Sequence, residues 1–227
     1  MPIKACVFDA YGTLFDVAAA AREAAAEPGR EAFAAHWQAV AETWRLKQLQ
    51  YTWLRATAGV HTDFWSVTGD GLDYALETHG LAEPDLRARL MQLYWELSAY
   101  PEVPGMLAAL KAGGLGTAIL SNGSPAMLEG AVESAGIGAD LDAVLSVESV
   151  GAFKPSREVY DLVCSHFGCT PPEILFVSSN CWDACFAAGQ GFVVAWANRK
   201  GEAMERLPFR PRHVVADLAT IPALAGL

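Results

Sequence analysis

The chain has 227 residues, of which 52% are hydrophobic and 19% are charged, and its formal net charge is -10. This length suits one α/β domain with an inserted subdomain, or two small domains, and the apolar content excludes a disordered chain. No basic cluster stands out, which argues against nucleic acid as a partner. An acidic chain that binds an anion must supply positive charge locally, so each Arg or Lys near a candidate site matters.

The cysteine pattern bears on the cellular compartment. The number of cysteines is odd and their spacing forms no disulfide framework, which favours reduced thiols and a cytoplasmic protein. No C-x-x-C pair is present, and a zinc site would need one or an equivalent His cluster. The apolar window before Asp9 is too short for a signal peptide, and no stretch reaches the roughly 18 apolar residues of a membrane helix. We therefore expect no membrane association. The cysteines are Cys6, Cys164, Cys169, Cys181 and Cys185.

Apolar runs and breakers predict the elements in chain order. Residues 3–8 predict a short buried strand, and Asp9 to Thr13 form a turn with Gly12 as its breaker. A long helical region without a convincing strand follows over 17–99. After this region, predicted strands and helices alternate along the chain. Strands are predicted at 115–120, near 143–147, at 174–177, at 192–197 and at 213–216, and helices at 104–112, up to about 136, at 155–167 and from about 181.

Alternating strands and helices predict right-handed crossovers and a parallel sheet. The expected fold is therefore an α/β, Rossmann-like core over 1–15 and 100–227, with an α-helical cap inserted over 16–99. Ligands of such sheets bind beyond the carboxyl ends of the strands. Four polar segments end strands or open helices, and their convergence predicts a site there: Asp9 to Thr13, Ser121-Asn122, Lys154, and Ser178 to Asp183.

Three charged residues are the first candidates, and each has a simpler interpretation. Asp9 follows an apolar strand, and such a carboxylate can form covalent intermediates with carbon or phosphorus, although a turn-forming Asp is an alternative. Arg45 shares an i+4 stripe with Ala41, Leu49 and Trp53, although an Arg on such a stripe can also extend its head into solvent. Lys154 before Pro155 is an ordinary residue for a helix start.

Taken together, these segments occur in the order and approximate spacing of the haloacid dehalogenase superfamily. The chain resembles more narrowly the L-2-haloacid dehalogenases, which are also called (S)-2-haloacid dehalogenases. The resemblance spans nearly the whole chain, including the cap, and implies the haloacid dehalogenase fold. It is carried by VFDAYGTLFDV at 7–17, WRLKQLQYTWLR at 44–55, ILSNGSP at 119–125, FKP at 153–155 and LFVSSNCWD at 175–183.

Two positions distinguish this chain from phosphatases that resemble the same fold. Those enzymes usually have a second Asp two residues after the nucleophile, where this chain has Tyr11. A halide leaves as an anion without a proton, so that acid is dispensable. Phosphatases also use an acidic fourth segment to hold Mg²⁺, which prefers carboxylate and water ligands, whereas Ser178 and Asn180 are neutral. We therefore expect no metal and no cofactor. A magnesium-dependent phosphatase, and a weak homologue that binds a small carboxylate or a protein, remain alternatives.

The resemblance implies a role for each charged residue. Asp9 attacks carbon 2 of a short (S)-2-haloalkanoate, and an ester forms. Arg45 contacts the substrate and receives the halide, because a fixed cation stabilises a developing anion. Lys154 keeps Asp9 ionised, since a nearby cation lowers a carboxylate pKa. Tyr160 matches a family tyrosine near the lysine, although a core aromatic residue is an alternative.

The resemblance also implies the remaining site. Thr13 and Ser121 orient the nucleophile. Ser178, Asn180 and Asp183 position the hydrolytic water. Three groups bind the substrate. Its carboxylate is held by backbone donors near Ala10 and Tyr11 and by Ser121, the halide leaves towards Arg45 and Asn122, and the halogen and alkyl part are shielded by Leu49, Phe64 and Trp182.

Two departures from the family pattern lie close to these segments. Leu46 follows Arg45 where the family commonly has Gln, and Cys181 occupies a variable position between Asn180 and Trp182. Either could alter substrate size or water access without changing the reaction. The partners implied by the resemblance are a 2-haloacid substrate, the halide product and a second copy of the chain in a homodimer.

Overall fold

A computed structural model describes residues 1–227. Its centre is a six-stranded sheet in which every strand pairs in parallel with its neighbour, in the order β3-β2-β1-β4-β5-β6. Each strand lies within or beside a segment predicted from the sequence, so the predicted parallel α/β core is confirmed. The strands are β1 (Ala5–Phe8), β2 (Gly116–Ser121), β3 (Ala143–Ser146), β4 (Ile174–Ser178), β5 (Val193–Ala197) and β6 (His213–Val215).

The two central strands owe their position to sequence composition. β1 reads ACVF and β4 reads ILFVS, and every residue of both is buried. Continuous apolar runs are typical of parallel strands that helices cover on both faces. The edge strands β3 and β6 are short and partly exposed. The sheet is therefore most deeply buried where β1 and β4 lie side by side.

Ten α-helices complete the fold. α6 and α8 pack against β2, α7 against β3, and α9 against β4 and β5. The longest helix, α3, is capped by Gly59, whose φ of 68° is the left-handed conformation that glycine adopts without strain. The helices are α1 (Ala19–Ala25), α2 (Glu31–Ala34), α3 (Trp37–Ala58), α4 (Phe64–Thr78), α5 (Pro84–Trp95), α6 (Val103–Ala112), α7 (Pro125–Ala135), α8 (Arg157–Phe167), α9 (Cys181–Gly189) and α10 (Ile221–Ala225).

Helices α1–α5 all fall between β1 and α6 and form the inserted cap. The chain leaves and re-enters the core along two paired segments, where the Tyr100 N–H donates to the Leu14 carbonyl at 2.9 Å and the Asp16 N–H to the Ser98 carbonyl at 3.0 Å. Phe15 and Ala99 form an antiparallel bridge between them. The division at 15/16 and 99/100 itself stays a prediction.

The strand order reverses between β1 and β4, because the chain winds outwards from β1 in one direction and from β4 in the other. A crevice forms outside the carboxyl ends of strands at such a switch point. Asp9 immediately follows β1, and Ser179 and Asn180 immediately follow β4, so the fold places both segments at this crevice. None of the helices has the length and apolar character needed to cross a membrane.

Candidate active site

Asp9 is fixed by the backbone that follows β1. Its N–H donates to the Val177 carbonyl at 2.9 Å and so extends the pairing between β1 and β4 by one residue. The chain then turns at Gly12, which has a φ of 88°. A Cβ at that position would lie 3.2 Å from the Ser179 hydroxyl. The left-handed conformation therefore favours glycine there, and the close approach of the Ser179 hydroxyl adds to that preference.

The Asp9 carboxylate is only 6% exposed and accepts from three side chains. Lys154 Nζ lies 3.2 Å from Oδ1, the Thr13 hydroxyl donates to Oδ2 at 2.9 Å, and Asn180 Nδ2 donates to Oδ2 at 3.0 Å. Donors of this kind stabilise the ionised form of a carboxylate. These contacts bring Thr13, Lys154 and Asn180 together around Asp9.

Lys154 joins two carboxylates inside the core. Its ammonium lies 2.9 Å from Asp183 Oδ2 as well as 3.2 Å from Asp9 Oδ1, and its side chain is 1% exposed. Burial acts to lower the pKa of Lys154, but the charges of Asp183 and Asp9 outweigh burial, and the pKa is raised. Lys154 is therefore a fixed cation. Removing one member of such a group would leave an uncompensated buried charge, which typically costs about 3–5 kcal/mol.

Asp183 lies behind Lys154 rather than beside the nucleophile. Its other oxygen accepts from the Tyr160 hydroxyl at 2.7 Å. Burial raises the pKa of Asp183, while the charge of Lys154 opposes this rise. Burial also raises the pKa of Tyr160 well above its usual value, and the charge of Asp183 adds to the effect, so this hydroxyl remains a donor. The ring of Tyr160 packs against Phe176 and Phe192, and both interpretations of this residue therefore describe part of its environment.

Arg45 reaches from the cap to the core. Its Nη2 donates to the Tyr11 carbonyl at 3.1 Å and to Asn180 Oδ1 at 3.2 Å. The interpretation of Arg45 as a side chain with its head in solvent is therefore wrong. Asn180 contacts Arg45 with one end of its amide and Asp9 with the other, so it links the cation of the cap to the nucleophile.

Gln48 is a functional candidate that the sequence analysis missed. It is 1% exposed, and its Oε1 accepts from Arg45 Nη1 at 2.7 Å. Its amide nitrogen donates to the Thr68 hydroxyl at 2.7 Å and to the Tyr94 hydroxyl at 3.0 Å, which fixes the side chain. The buried face of α3 consists of Val40, Trp44, Gln48 and Thr52. Gln48 is a polar residue at the four-residue repeat of this buried face, and that position was the signal in the sequence that could have identified it.

Three backbone N–H groups around Asp9 lack an acceptor within the protein, those of Ala10, Tyr11 and Asn122. The three residues are 0%, 3% and 7% exposed. Buried backbone N–H groups are almost always paired. A carboxylate or oxyanion would satisfy them, which agrees with the implied role of Ala10 and Tyr11 and adds a donor, the Asn122 N–H, that the sequence analysis did not identify.

Two serines have other partners than expected. The Ser121 hydroxyl accepts from the Gly123 N–H at 3.1 Å and makes no hydrogen bond to Asp9, so its predicted orientation of the nucleophile is wrong for this structure. The reason is local, because the hydroxyl closes the turn that follows β2. The Ser178 hydroxyl accepts from the Asn180 N–H at 3.2 Å and is fully buried. Of the three residues predicted to position water, only Asn180 reaches the reaction cavity.

The reaction cavity itself is small. Its volume is about 10 Å³, which is enough for about one water molecule. Seven of the eight predicted substrate or halide contacts line it, all except Ala10. The lining is Asp9, Tyr11, Arg45, Leu49, Phe64, Ser121, Asn122, Lys154, Asn180 and Trp182.

Arg199 is a second residue that the sequence analysis missed. Its guanidinium donates to the Thr13 carbonyl at 3.1 Å, pairs with Glu102 at 2.6 Å and lies over the Tyr100 ring at 3.7 Å. Because Thr13 donates to Asp9, Arg199 supports the turn that carries the nucleophile. No motif marks this residue, since it lies after β5 and far from Asp9 in sequence.

The polar groups around Asp9 do not match a divalent-metal site. They are an ammonium, a hydroxyl and an amide nitrogen, all of which donate hydrogen bonds. No group of three or more His, Cys, Asp or Glu side chains is arranged to hold a metal ion. The space between Asp9 and Asp183, where two carboxylates could share a cation, is occupied by Lys154.

Comparisons with known proteins agree with this geometry. Residues 3–191 match the model of the haloacid dehalogenase-like hydrolases. The chain is 43% identical to (S)-2-haloacid dehalogenase 1 of Pseudomonas sp. (strain CBS-3), over 98% of this chain and 96% of that protein. It is 46% identical to the (S)-2-haloacid dehalogenase of Xanthobacter autotrophicus, over 85% of this chain and 74% of that protein.

A solved structure extends the comparison to the fold. The L-2-haloacid dehalogenase of Xanthobacter autotrophicus, solved with chloropropionic acid covalently bound, superposes with a TM-score of 0.84. The two proteins are 39% identical in sequence, and the match covers 98% of each chain. Together with the cap and the arrangement of Asp9, Lys154 and Arg45, these matches show that the chain belongs to the haloacid dehalogenase-like hydrolases and, within them, to the (S)-2-haloacid dehalogenases.

Proposed function

We propose that this protein hydrolyses short (S)-2-haloalkanoates to (R)-2-hydroxyalkanoates and halide through an ester on Asp9. The observation that carries the proposal is the position of Asp9, which is paired with the buried ammonium of Lys154 and linked through Asn180 to Arg45. This arrangement provides an anionic nucleophile opposite a cation. The family supports the same chemistry, because a relative has been solved with chloropropionic acid covalently bound.

The first step is a displacement at carbon 2. The substrate carboxylate accepts from the free N–H groups of Ala10 and Tyr11, with Ser121 beside them. An oxygen of Asp9 forms a bond to carbon 2 as the carbon–halogen bond breaks, and the halide takes the bonding pair. Arg45 and Asn122 stabilise that anion, while the apolar wall of Leu49, Phe64 and Trp182 excludes water. A single displacement inverts carbon 2.

The second step is hydrolysis of the ester. Alkylation removes the charge of Asp9, so the Lys154 ammonium then pairs with Asp183 alone. Water attacks the carboxyl carbon of Asp9, with Asn180 at the cavity wall and Ser178 and Asp183 behind it. The water gives one proton to Lys154 as the Lys154 ammonium, which lines the cavity, gives one to Asp183. That proton returns by the same route to the ester oxygen, which leaves as the hydroxyl group of the hydroxyacid, and the second proton of the water goes to solvent. Asp9 is thereby restored, and no metal or cofactor enters either step.

Chloride release from the two enantiomers of 2-chloropropionate, with and without EDTA, tests the reaction. We expect release from the (S) enantiomer alone and at the same rate after exhaustive chelation. Loss of activity in EDTA with rescue by Mg²⁺ would favour the phosphatase chemistry instead. Absence of release from either enantiomer would favour a homologue that only binds a small carboxylate.

A single turnover in oxygen-18 water tests the ester. Water that attacks the carboxyl carbon leaves its label in Asp9, and peptide mass spectrometry should place one labelled oxygen in residues 5–22. Label in the hydroxyacid with unlabelled Asp9 would mean that water attacks carbon 2 directly, and it would overturn the covalent mechanism.

We also propose that the protein is a cytoplasmic homodimer. All five cysteines are unpaired, which agrees with a reducing compartment. The homodimer follows from the family resemblance, and Leu54 on α3, which is 58% exposed, provides apolar surface outside the core. Sedimentation equilibrium should give twice the monomer mass, and a monomer at micromolar concentration would contradict the proposal.

A further inference from the structure

A second and much larger cavity lies beside the reaction cavity. This space, which we call the side chamber, has a volume of about 460 Å³. Four residues line both cavities and therefore separate them. They are Arg45, Leu49, Asn180 and Trp182. The mechanism proposed above uses the reaction cavity and leaves the side chamber without a role.

We infer that the side chamber receives the alkyl chain of 2-haloalkanoates longer than propionate, as an apolar subsite with an acidic rim. This inference rests on the proposed function and names the substrate class that the same site accepts. The reaction cavity is small and is lined by the groups assigned to the nucleophile, the carboxylate and the halide, so a chain of several carbons needs an adjoining space.

The direction of the chain follows from the walls of the reaction cavity. The polar wall binds the carboxylate and the halide, so the alkyl group must lie against Leu49, Phe64 or Trp182. Phe64 offers no outlet, because it is 1% exposed and its ring packs against Tyr11 at 5.8 Å and Phe153 at 6.2 Å. Leu49 and Trp182 are only half-buried and both continue into the side chamber. An extended chain therefore passes between them.

The side chamber has an apolar floor that suits such a chain. Trp53 packs edge-to-face against Trp182 with ring centroids 5.4 Å apart and closes one side. Ala41, one helical turn before Arg45, contributes only a methyl group to the same lining. Leu46 and Cys181 also line this chamber and add apolar surface to it.

The charges at the rim predict which chains are accepted. Glu42, Glu202 and Glu205 line the chamber and are exposed, whereas Lys200 is the single exposed cation among its lining residues. A carboxylate at the far end of the substrate chain would meet this negative rim. We therefore expect a neutral alkyl chain to be preferred over an anionic chain of equal length.

The wild-type enzyme provides the first test. The compounds to assay are the (S) forms of 2-bromopropionate, 2-bromobutanoate, 2-bromohexanoate and 2-bromoadipate. The last two have six carbons each, and their chains end in a methyl group and a carboxylate, respectively. We expect kcat/KM to be maintained or to rise with chain length, by up to about fourfold for each buried methylene. 2-Bromoadipate should be at least about tenfold poorer than 2-bromohexanoate. If 2-bromopropionate is turned over but kcat/KM for 2-bromohexanoate is tenfold lower or worse, the inference is overturned.

A filled chamber provides the second test. Ala41→Phe places a ring in the chamber, and Ala39→Phe is the matched control, because Ala39 lies on the exposed side of the same helix. In Ala41→Phe, kcat/KM should fall at least about tenfold more for 2-bromohexanoate than for 2-bromopropionate, while Ala39→Phe should leave the ratio of the two unchanged. An equal loss for both substrates in Ala41→Phe would mean that the chamber is only an entrance, which contradicts the inference.

Failure of the inference and failure of the proposed function give different results. If the chain is not a dehalogenase, no member of the series releases bromide. If it is a dehalogenase without an alkyl subsite, 2-bromopropionate is turned over and the longer acids are not. The wild-type series distinguishes these outcomes even where a variant fails to fold.

Discussion

The charged group at and behind the reaction cavity, Asp9, Lys154 and Asp183, is 6%, 1% and 0% exposed, whereas Leu49 and Trp182 on the apolar wall of the cavity are only half-buried. The charged group is held by ion pairs and hydrogen bonds that run from strand ends to α9. The wall formed by Leu49 and Trp182 is held mainly by aromatic and aliphatic contacts and adjoins open space.

This difference separates chemistry from selectivity. Buried charges that are fully paired have one favourable arrangement, and such preorganisation is what a reacting centre requires. Apolar contacts are less directional and tolerate changes in volume more readily. Changes to the charged group should therefore abolish turnover, while changes to the side chamber should redistribute activity among substrates.

Asp9→Asn should remove the reaction altogether. A neutral amide is a poor nucleophile, and we expect kcat to fall at least about a thousandfold, as for loss of a nucleophile in other enzymes. Chloride release from (S)-2-chloropropionate measures it, with mass spectrometry to exclude deamidation back to Asp. Substantial activity in the intact amide variant would show that the charged group does not supply the nucleophile.

Asp183→Asn should separate the two chemical steps. Asp9 alkylation needs no water, whereas hydrolysis of the ester does, and loss of a general base typically costs about a hundredfold or more. We expect a burst of about one chloride per site, followed by slow turnover and an ester at Asp9 in the intact-protein mass. Asp161→Asn, on the exposed face of α8, is the control and should show no burst. A uniform loss of both steps in Asp183→Asn would assign Asp183 to alignment of Lys154 alone.

Arg45→Lys tests the single charged residue that the cap contributes to the cavity wall. A flexible ammonium does not reproduce the planar fork that contacts Tyr11, Asn180 and Gln48. Because the charge is retained, we expect a loss of about tenfold to a hundredfold in kcat. The matched control is Arg55→Lys on the same helix, whose guanidinium pairs with Asp70 at the surface. Equal kinetics in the two variants would remove Arg45 from the mechanism.

The pH profile should show the smallest effect. The pKa of Asp183 is raised above its usual 3.8 by burial, so kcat should fall as pH decreases through a value above 3.8, because protonated Asp183 cannot accept a proton. The pKa of Lys154 is raised above 10.5, so no alkaline loss from Lys154 is expected below that pH. Single-turnover rates against pH measure both limbs. An acid limb in alkylation but not in hydrolysis would contradict the role of Asp183.

Much of the fold could be predicted because local patterns specify it. The runs at 3–8 and 174–177 are apolar enough to be only buried strands, and the structure places β1 and β4 within or beside them. Element ends were less predictable. α8 begins at Arg157 rather than Pro155, since Ser156 precedes the first helical turn. The contacts of the site were also less predictable. Whether the Ser121 hydroxyl forms a hydrogen bond with the turn or with Asp9 depends on its side-chain rotamer, which the sequence does not specify.

By itself, the sequence determined the α/β class, the inserted helices and the four polar segments that meet beyond the strand ends. These follow from periodicity, from strand-end position and from motifs, all of which are local along the chain. The tertiary structure alone decided which polar groups touch. It placed Gln48 against Arg45, Arg199 against Thr13, and Asp183 behind Lys154. It also formed the side chamber from Ala41, Trp53 and Trp182, because a cavity is a property of surfaces that residues distant in sequence enclose together.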